Sequence, residues 1–251
     1  MSLIRPLLGS CTTRKLHSDI PNLGDTVSSP SASANGTFDH GDDRATGPVP
    51  EASGEVQRVA AATVPTSHGI FQMLVYRDPA GVEHLAIFPS EDRLKDSNGA
   101  ALLRVHSECL TGEALGSLKC ECGPQLDTAL DYIAEQGGLV IYLRGQEGRG
   151  IGLANKILAY RLQEQGRDTL EANLELGFPA DARSYSAAVA ILEDLDISSV
   201  RLLSNNPEKQ RQLQEHGITV TELVPLVVGV GDHNRDYLAT KRDRMGHQLP
   251  Q

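Results

Sequence analysis

Three cysteines in one short stretch restrict the fold of this chain more than any other feature of its sequence. Cys109, Cys120 and Cys122 are three of only four cysteines among 251 residues. Three clustered thiolates predict a zinc ion with one coordination position left for water, because structural zinc sites are usually closed by four protein ligands. The odd number of local ligands therefore indicates a catalytic metal.

Two simpler interpretations exist for such a cluster, namely buried small apolar residues or half of a disulfide. The cysteines are interleaved with Lys119 and Glu121 and flanked by glycines, which is typical of a polar turn. No segment has the pattern of a secretory signal, so an oxidising compartment is not expected. His106 is a candidate fourth ligand that would make the zinc structural. Cys11 is distant and is left out.

The composition predicts a soluble, cytoplasmic protein that binds neither nucleic acid nor membranes. Hydrophobic residues make up 39% of the chain, which is enough for a core, but there is no tryptophan to stack on single-stranded bases. A formal charge of -10 argues against general affinity for nucleic acid or anionic lipid. No apolar run approaches the roughly 18 residues of a membrane span. A small anionic ligand stays possible, because local charge decides its binding.

Residues 1–55 are predicted to be a disordered tail. Residues 21 to about 55 are rich in Ser, Pro, Gly, Ala and Asp without a sustained hydrophobic period, so they cannot bury enough surface to offset their ordering entropy. The basic residues before Asp19 faintly resemble a transit peptide, although a solvated tail is favoured. Folding is expected to begin near Val56, which gives one domain over residues 56–251.

Alternating segments predict an α/β fold with a mixed sheet. Val64–Tyr76 and Val82–Phe88 are predicted to be strands joined by a turn, and Leu102–His106 is a strand that leads to Cys109. A helix is expected from Pro124 to the glycines 137–138. Further strands are predicted at 139–143, 200–203 and 218–226, and further helices around 153–160, 185–192, 207–217 and after 232.

A glycine-rich loop over residues 144–152 separates the strand at 139–143 from a helix that carries Leu153, Ile157 and Tyr160. Backbone amides and the helix N-terminus in such a unit can hold phosphate. Two arginines favour an anion, whereas Glu147 counts against one. The loop matches neither standard nucleotide fingerprint, so a merely flexible turn remains an alternative.

Taken together, these segments resemble GTP cyclohydrolase II, which opens the purine ring of GTP at the start of riboflavin synthesis. The resemblance covers roughly Val56 to Leu249. It rests on motifs in one order: RVHSECLTG (104–112), CECG (120–123), EGRGIGL (147–153), DTLEAN (168–173), LGFPADAR (176–183), LLSNNPEK (202–209) and YLATKRDRMGH (237–247).

The resemblance implies a role for each matched position. Cys109, Cys120 and Cys122 would bind one Zn²⁺ per subunit, Asp181, Arg183 and Tyr160 would serve catalysis, and the subunits would form a homodimer. The implied GTP-binding residues are Arg104, Val105, His106, Ser107, Glu108, Gln125, Glu147, Gly148, Arg149, Thr169, Ser204 and Lys209.

The implied reaction has two parts. Zinc lowers the pKa of water toward neutrality, which would supply hydroxide to attack C8 of guanine and release formate. Cleavage at the α-phosphorus would release pyrophosphate, with Mg²⁺ bridging phosphate oxygens. The product would be 2,5-diamino-6-(5-phosphoribosylamino)pyrimidin-4(3H)-one.

The family scheme makes Asp181 a proton acceptor and Arg183 a nucleophile at phosphorus. A guanidinium has a pKa above about 12, so its neutral form is scarce. The alternative is that Arg183 clamps phosphate oxygens while Asp181 orients it, and the covalent step is left open. Tyr160 alone would be assigned to the core, and only the resemblance gives it a role.

Two departures and three alternatives accompany the resemblance. The loop is one glycine longer than usual at Gly145, and Ser204 replaces a common threonine. A tail of about 55 residues is too short for the dihydroxybutanone phosphate synthase domain of some relatives, so a single activity is expected. The alternatives are an enzyme that stops at the formamidopyrimidine and a zinc-containing nucleotide sensor without turnover. A nucleobase deaminase is disfavoured because its motif is absent.

Overall fold

The computed structural model describes residues 55–179 and 181–247. The predicted tail, apart from its last residue, and Cys11 lie outside the described residues. The strands are β1 (Gln57–Thr66), β2 (Gly69–Arg77), β3 (Glu83–Phe88), β4 (Ala101–Ser107), β5 (Leu139–Leu143), β6 (Ser199–Leu203) and β7 (Thr219–Val224). The helices are α1 (Leu110–Glu113), α2 (Cys122–Gln136), α3 (Glu147–Gly150), α4 (Gly152–Glu164), α5 (Thr169–Glu175), α6 (Ser186–Asp194), α7 (Pro207–Glu215) and α8 (Arg235–Met245), with a 3₁₀ turn at Glu91–Arg93.

The seven strands form one mixed sheet in the order β1-β2-β3-β5-β4-β6-β7. Neighbours from β1 to β5 are antiparallel, and those from β5 through β4 and β6 to β7 are parallel. This confirms the predicted α/β class with a mixed sheet flanked by helices. None of the helices in the described part of the chain has the length and apolar character needed to cross a membrane.

The prediction of one strand over Val64–Tyr76 is wrong, because the chain reverses within it. The hydroxyl of Thr66 accepts a hydrogen bond from the backbone N–H of His68 at 3.1 Å and donates to the carbonyl of Gly69 at 2.9 Å. Strands β1 and β2 then pair on either side of this turn. Apolar residues on both sides of the short polar interruption concealed it in the sequence.

Strand β4 separates two hydrophobic clusters by the alternation of its side chains. Leu103 and Val105 face the cluster that includes residues of α6 and α7. Leu102 faces the other cluster, which includes Ala129 and Ile133 of α2. Helices therefore cover both faces of the sheet, as a parallel portion requires.

The carboxyl ends of β4, β5 and β6 lie at one edge of the parallel portion. Cys109 follows β4, the glycine-rich loop follows β5, and Ser204 follows β6. Ligands of open α/β sheets usually bind outside this edge. The fold therefore brings segments that are about 100 positions apart in the chain to one site.

Candidate functional site

The three predicted metal ligands meet at the carboxyl end of β4. The sulfurs of Cys109 and Cys120 are 3.7 Å apart, and all three sulfurs lie within 4.8 Å of one another. Zinc–sulfur bonds of about 2.3 Å in a tetrahedron separate sulfurs by roughly 3.8 Å. The donor set and its spacing therefore fit zinc with three protein ligands.

The backbone leaves no spare room around the sulfurs. Gly112 lies in α1 between the first cysteine and the other two, and a Cβ added there would lie 2.6 Å from the sulfur of Cys120. The same atom would be 3.1 Å from the sulfur of Cys109. Only glycine fits at this position with the present arrangement of thiols.

The three thiols interact with one another through hydrogen bonds. Hydrogen bonds from Cys120 and Cys122 lower the pKa of the Cys109 thiol. The pKa of Cys120 is raised to about 11, mainly by its hydrogen bond to Cys109. A divalent cation that binds all three as thiolates must therefore displace protons, so its affinity should depend on pH.

Lys156 of α4 lies against the thiol cluster and was not predicted from the sequence. Its ammonium donates hydrogen bonds to the sulfur of Cys109 at 3.1 Å and to the hydroxyl of Thr111 at 2.7 Å, and it forms a buried ion pair with Glu147. Burial disfavours the charge, but the bonds to Glu147 and Cys109 outweigh it and raise the pKa of Lys156. The lysine therefore supplies a fixed positive charge beside the thiolates.

His106 does not join the cysteines. Its Nε2 lies 2.9 Å from a carboxylate oxygen of Glu113, its Nδ1 lies 3.4 Å from Arg104, and its ring stacks on Tyr142. Burial lowers the pKa of His106 to about 4, with Arg104 adding to the effect. The imidazole is therefore neutral and already engaged, which removes the sequence argument for a closed structural site.

A second cleft adjoins the cysteines and is lined by basic side chains. Each of the two clefts has a volume of about 620 Å³, which includes space that is open to solvent. The cleft around the thiols, here called the cysteine cleft, and the basic one, called the cationic cavity, share lining residues, which makes them two parts of one site. The shared residues are Ser107, Cys122, Arg149, Arg183 and Tyr237.

Arg104 and Lys209 are the most buried cations of the cationic cavity, each 5% exposed. Arg104 donates to the carbonyl of Leu203 at 3.1 Å and to the amide oxygen of Gln125 at 2.8 Å. Lys209 donates to the carbonyl of Val105 at 2.7 Å. Among the described residues, neither forms an ion pair with a carboxylate.

Burial shifts the pKa values of both cations. Burial lowers the pKa of Arg104 to about 10. Burial and the charges of Arg104, Arg183 and Lys241 lower the pKa of Lys209 well below its ordinary value. Buried cations without a counter-ion are costly, and a bound anion would offset that cost.

Asp181 and Arg183 form a partly buried ion pair, and Arg183 lines both clefts. One carboxylate oxygen accepts from the Arg183 Nε at 2.8 Å, and the guanidinium also reaches the hydroxyl of Ser107 at 3.4 Å. Burial opposes ionisation of Asp181, but its bonds to Arg183 outweigh this and hold its pKa below the usual range. Burial likewise opposes the charge of Arg183, yet the bond to Asp181 raises its pKa. The carboxylate is therefore a weak base, and the guanidinium stays charged.

The glycine-rich loop folds as a left-handed turn. Gly148 and Arg149 have φ values of 62° and 65°, and an arginine there adopts a backbone conformation that favours glycine. Glu147 points inward to Lys156 and accepts the N–H of Leu110 at 2.6 Å. Lys156 neutralises the charge of this carboxylate, so Glu147 does not count against a bound phosphate.

The backbone of Gly145, in the loop after β5, is held by a hydrogen bond. The N–H of Gly145 donates to a carboxylate oxygen of Glu108 at 2.7 Å, and Ser107 donates to the side chain of Gln146 at 2.6 Å. The loop after β5 is therefore held against the segment that follows β4.

Most predicted residues line one of the two clefts, but Asp181, Glu147 and Val105 line neither. Tyr160 lines the cysteine cleft, where the ammonium of Lys119 lies 4.7 Å from its ring, and Ser204 lines the cationic cavity. The side chain of Val105 packs into the core instead, so only its backbone reaches the cavity. Thr169 is the first residue of α5, and its side chain is not among those described.

Among the cleft-lining residues that were not predicted as site residues are three basic side chains and a tyrosine. Their signal lay partly in the sequence, because three of them belong to the motif at 237–247, to which no role was attached. They are Lys156, Tyr237, Lys241 and His247.

Comparison with known proteins gives a consistent result. The family model described as GTP cyclohydrolase II matches residues 57–225. The riboflavin biosynthesis protein RibBA of Rhodococcus jostii is 54% identical over 197 residues, and that of Nocardia farcinica is 52% identical over 197 residues. The Chlamydia muridarum protein of the same name is 52% identical over 196 residues.

The shares of the chains that match are unequal. These alignments cover 77% to 78% of this chain and 46% to 47% of each relative, so the chain spans about half the length of the curated relatives it matches. A crystal structure of RibBX, a two-domain 3,4-dihydroxy-2-butanone 4-phosphate synthase from A. baumannii, aligns at 20% identity and a TM-score of 0.32. That alignment covers 61% of this chain and 35% of the other, and its score is too low to bear on the fold.

The family model matches well over half of the chain, and its matched region contains the thiol cluster, the loop after β5 and Lys209. The chain therefore belongs to the GTP cyclohydrolase II family.

Proposed function

We propose that this protein hydrolyses GTP, opening the imidazole ring at C8 and releasing formate and pyrophosphate. The observation that carries the proposal is the junction of two unlike clefts. Three thiols that fit zinc adjoin a cavity in which Arg104 and Lys209 are buried without a carboxylate partner in the part of the chain that the structure describes. A nucleoside triphosphate can place its base in one cleft and its negatively charged phosphates in the other.

The cysteine cleft is assigned to the base. Zinc held by the three cysteines would lower the pKa of water toward neutrality and so supply the hydroxide that ring opening needs. Lys156 holds a positive charge 3.1 Å from the sulfur of Cys109, which offsets part of the negative charge of three thiolates. Tyr160 lines the same cleft, and its phenol is the group assigned to orient the base or the opening ring.

The cationic cavity is assigned to the triphosphate. Arg104, Lys209 and Arg183 would bind phosphate oxygens by charge-assisted hydrogen bonds, with Mg²⁺ bound to the triphosphate itself. The low pKa of Asp181 and the high pKa of Arg183 favour a clamp in which the carboxylate orients a charged guanidinium. A covalent bond from Arg183 to phosphorus would require the neutral guanidine, which this ion pair disfavours.

A homodimer forms part of the proposal. Leu153, Ile157 and Leu158 of α4 are 41% to 50% exposed, although they lie on the helix that borders the cysteine cleft. Apolar side chains grouped in this way on one helix are typical of an interface. Light scattering coupled to size exclusion should give twice the chain mass.

One assay tests the activity directly. The purified full chain is incubated with GTP, zinc and magnesium while formate, pyrophosphate and product mass are measured together. We expect equal amounts of formate and pyrophosphate and the diaminopyrimidine product named above, which would place the protein in riboflavin biosynthesis. Pyrophosphate without formate would instead show the enzyme that stops at the formamidopyrimidine. Bound GTP without any product would show a sensor and would refute the proposed activity.

A further inference from the structure

Helix α8 brings a second group of polar side chains to the cationic cavity. Tyr237, Lys241 and His247 line it together with Arg104 and Lys209, which come from β4 and α7. None of the three is among the residues to which the family resemblance gives a role. The cavity therefore has a wall whose function is unassigned.

Lys241 is the buried cation of this wall. Its side chain is 13% exposed, its ammonium forms an ion pair with Glu121, and it lies 5.0 Å from the centre of the Tyr237 ring. Glu121 is itself buried, at the N-terminal end of α2. The cavity also contains Arg104 and Lys209. The single carboxylate of Glu121 therefore balances only part of its positive charge.

His247 lies in a region of positive electrostatic potential inside the cavity. Gly246 ends α8 in the left-handed conformation, and the N–H of His247 then donates to the carbonyl of Lys241 at 3.1 Å. This turn directs the chain back so that His247 lines the cavity. Burial, together with the positive charges of Lys241, Arg149, Arg183 and Lys209, lowers the pKa of its imidazole to about 3.

We propose that α8 completes the binding site for the triphosphate: the Lys241 ammonium exchanges its contact with Glu121 for a phosphate oxygen, and the imidazole of His247 donates a hydrogen bond to the same group. The inference rests on the proposed function, since GTP supplies the phosphates. A phosphate group carries more charge than one carboxylate and can contact several of these cations at once. The exchange therefore gains attraction without leaving Lys241 unpaired.

A structural role for Lys241 predicts a different result. If the lysine only holds α8 against the start of α2, removal of either Lys241 or Glu121 should loosen the helix, and both changes should weaken every ligand alike. If Lys241 binds phosphate, the two changes act in opposite directions, because Glu121 competes with the ligand for the same ammonium.

Calorimetric titration of the zinc-loaded full chain with inorganic pyrophosphate and, separately, with guanosine distinguishes the two roles. K241Q should weaken pyrophosphate binding by about 10- to 100-fold, as expected for a lost charge-assisted contact, and leave guanosine binding unchanged. K241R should retain pyrophosphate binding, and E121Q should retain or strengthen it. R235Q removes a charge from the exposed start of the same helix and should change neither ligand.

Equal losses for pyrophosphate and guanosine in K241Q, or weaker pyrophosphate binding in E121Q, would overturn the proposal. If K241Q does not fold, K241R and E121Q still decide the matter. These titrations need no turnover, so they are separate from the activity assay. A chain that releases no formate but binds pyrophosphate through Lys241 would refute the proposed function and retain the anion site.

Discussion

The cysteine cleft and the cationic cavity are neighbours with opposite electrostatic character. The cysteine cleft contains three sulfurs whose spacing fits a cation, whereas the cationic cavity contains Arg104 and Lys209, which have no carboxylate partner among the described residues. They meet at Arg183, which lines both. The contrast teaches that the two clefts suit ligands of opposite charge, a cation at the sulfurs and an anion at the basic side chains.

Loss of one thiol should separate the two clefts most sharply. Cys120→Ser should abolish zinc binding and formate release, because two thiolates cannot hold the ion in this geometry, while pyrophosphate still binds in the cationic cavity. Elemental analysis, the formate assay and calorimetry measure the three quantities. Cys11→Ser is the control and should change none of them. Stoichiometric zinc in the Cys120 variant would show that the ligand assignment is wrong.

The reverse experiment removes a cation and keeps the metal. Arg104→Gln should retain zinc but weaken pyrophosphate binding by about 10- to 100-fold. The melting temperature without ligand should change little, because relief from burying an unpaired charge offsets two lost hydrogen bonds. Thermal unfolding and titration test both parts. A large drop in melting temperature with unchanged pyrophosphate affinity would mean that Arg104 is structural.

The tight backbone around the sulfurs gives a smaller expected effect. Gly112→Ala should lower zinc affinity on the order of tenfold, because the added methyl group must displace the sulfur of Cys120. Competition with a chromogenic chelator measures this. Gly231→Ala is a matched control, since no atom lies within 4 Å of a Cβ added there. Equal affinities in the two variants would contradict the packing argument.

The lowered pKa of Lys209 gives the most subtle prediction. An anion beside the ammonium raises that pKa, so at a pH between the free and bound values pyrophosphate binding should take up a fraction of a proton. Affinity should therefore rise as pH falls through this interval. Titrations in buffers of different ionisation enthalpy measure the uptake. Lys209→Arg, which stays charged, should bind without it, and uptake that persists in this variant would assign the proton elsewhere.

The sequence predicted local features of the site well. The spacing of Cys109, Cys120 and Cys122 indicated a shared metal, and the structure brings their sulfurs together. The strand at 139–143, the loop after it and the helix that follows were also predicted, because hydrophobic period and glycines act over a few residues.

Features that depend on distant contacts were missed. Lys156 was overlooked because its partners Cys109 and Thr111 are more than 40 positions away. Lys241 was overlooked because its polar helix gave no sign of facing a cavity lined by Arg104 and Glu121. In both cases an ordinary surface residue type is buried by tertiary structure, which no local pattern reports.

Strand β4 has a consequence for how the site can diverge. Its alternation places Leu103 and Val105 in the core and Arg104 and His106 in the lining of the cationic cavity. Insertion or deletion of one residue within the strand would exchange the two sets, so charges would enter the core and aliphatic side chains would enter the cavity. Substitution in β4 therefore preserves the division between core and cavity, whereas a change in the length of the strand does not.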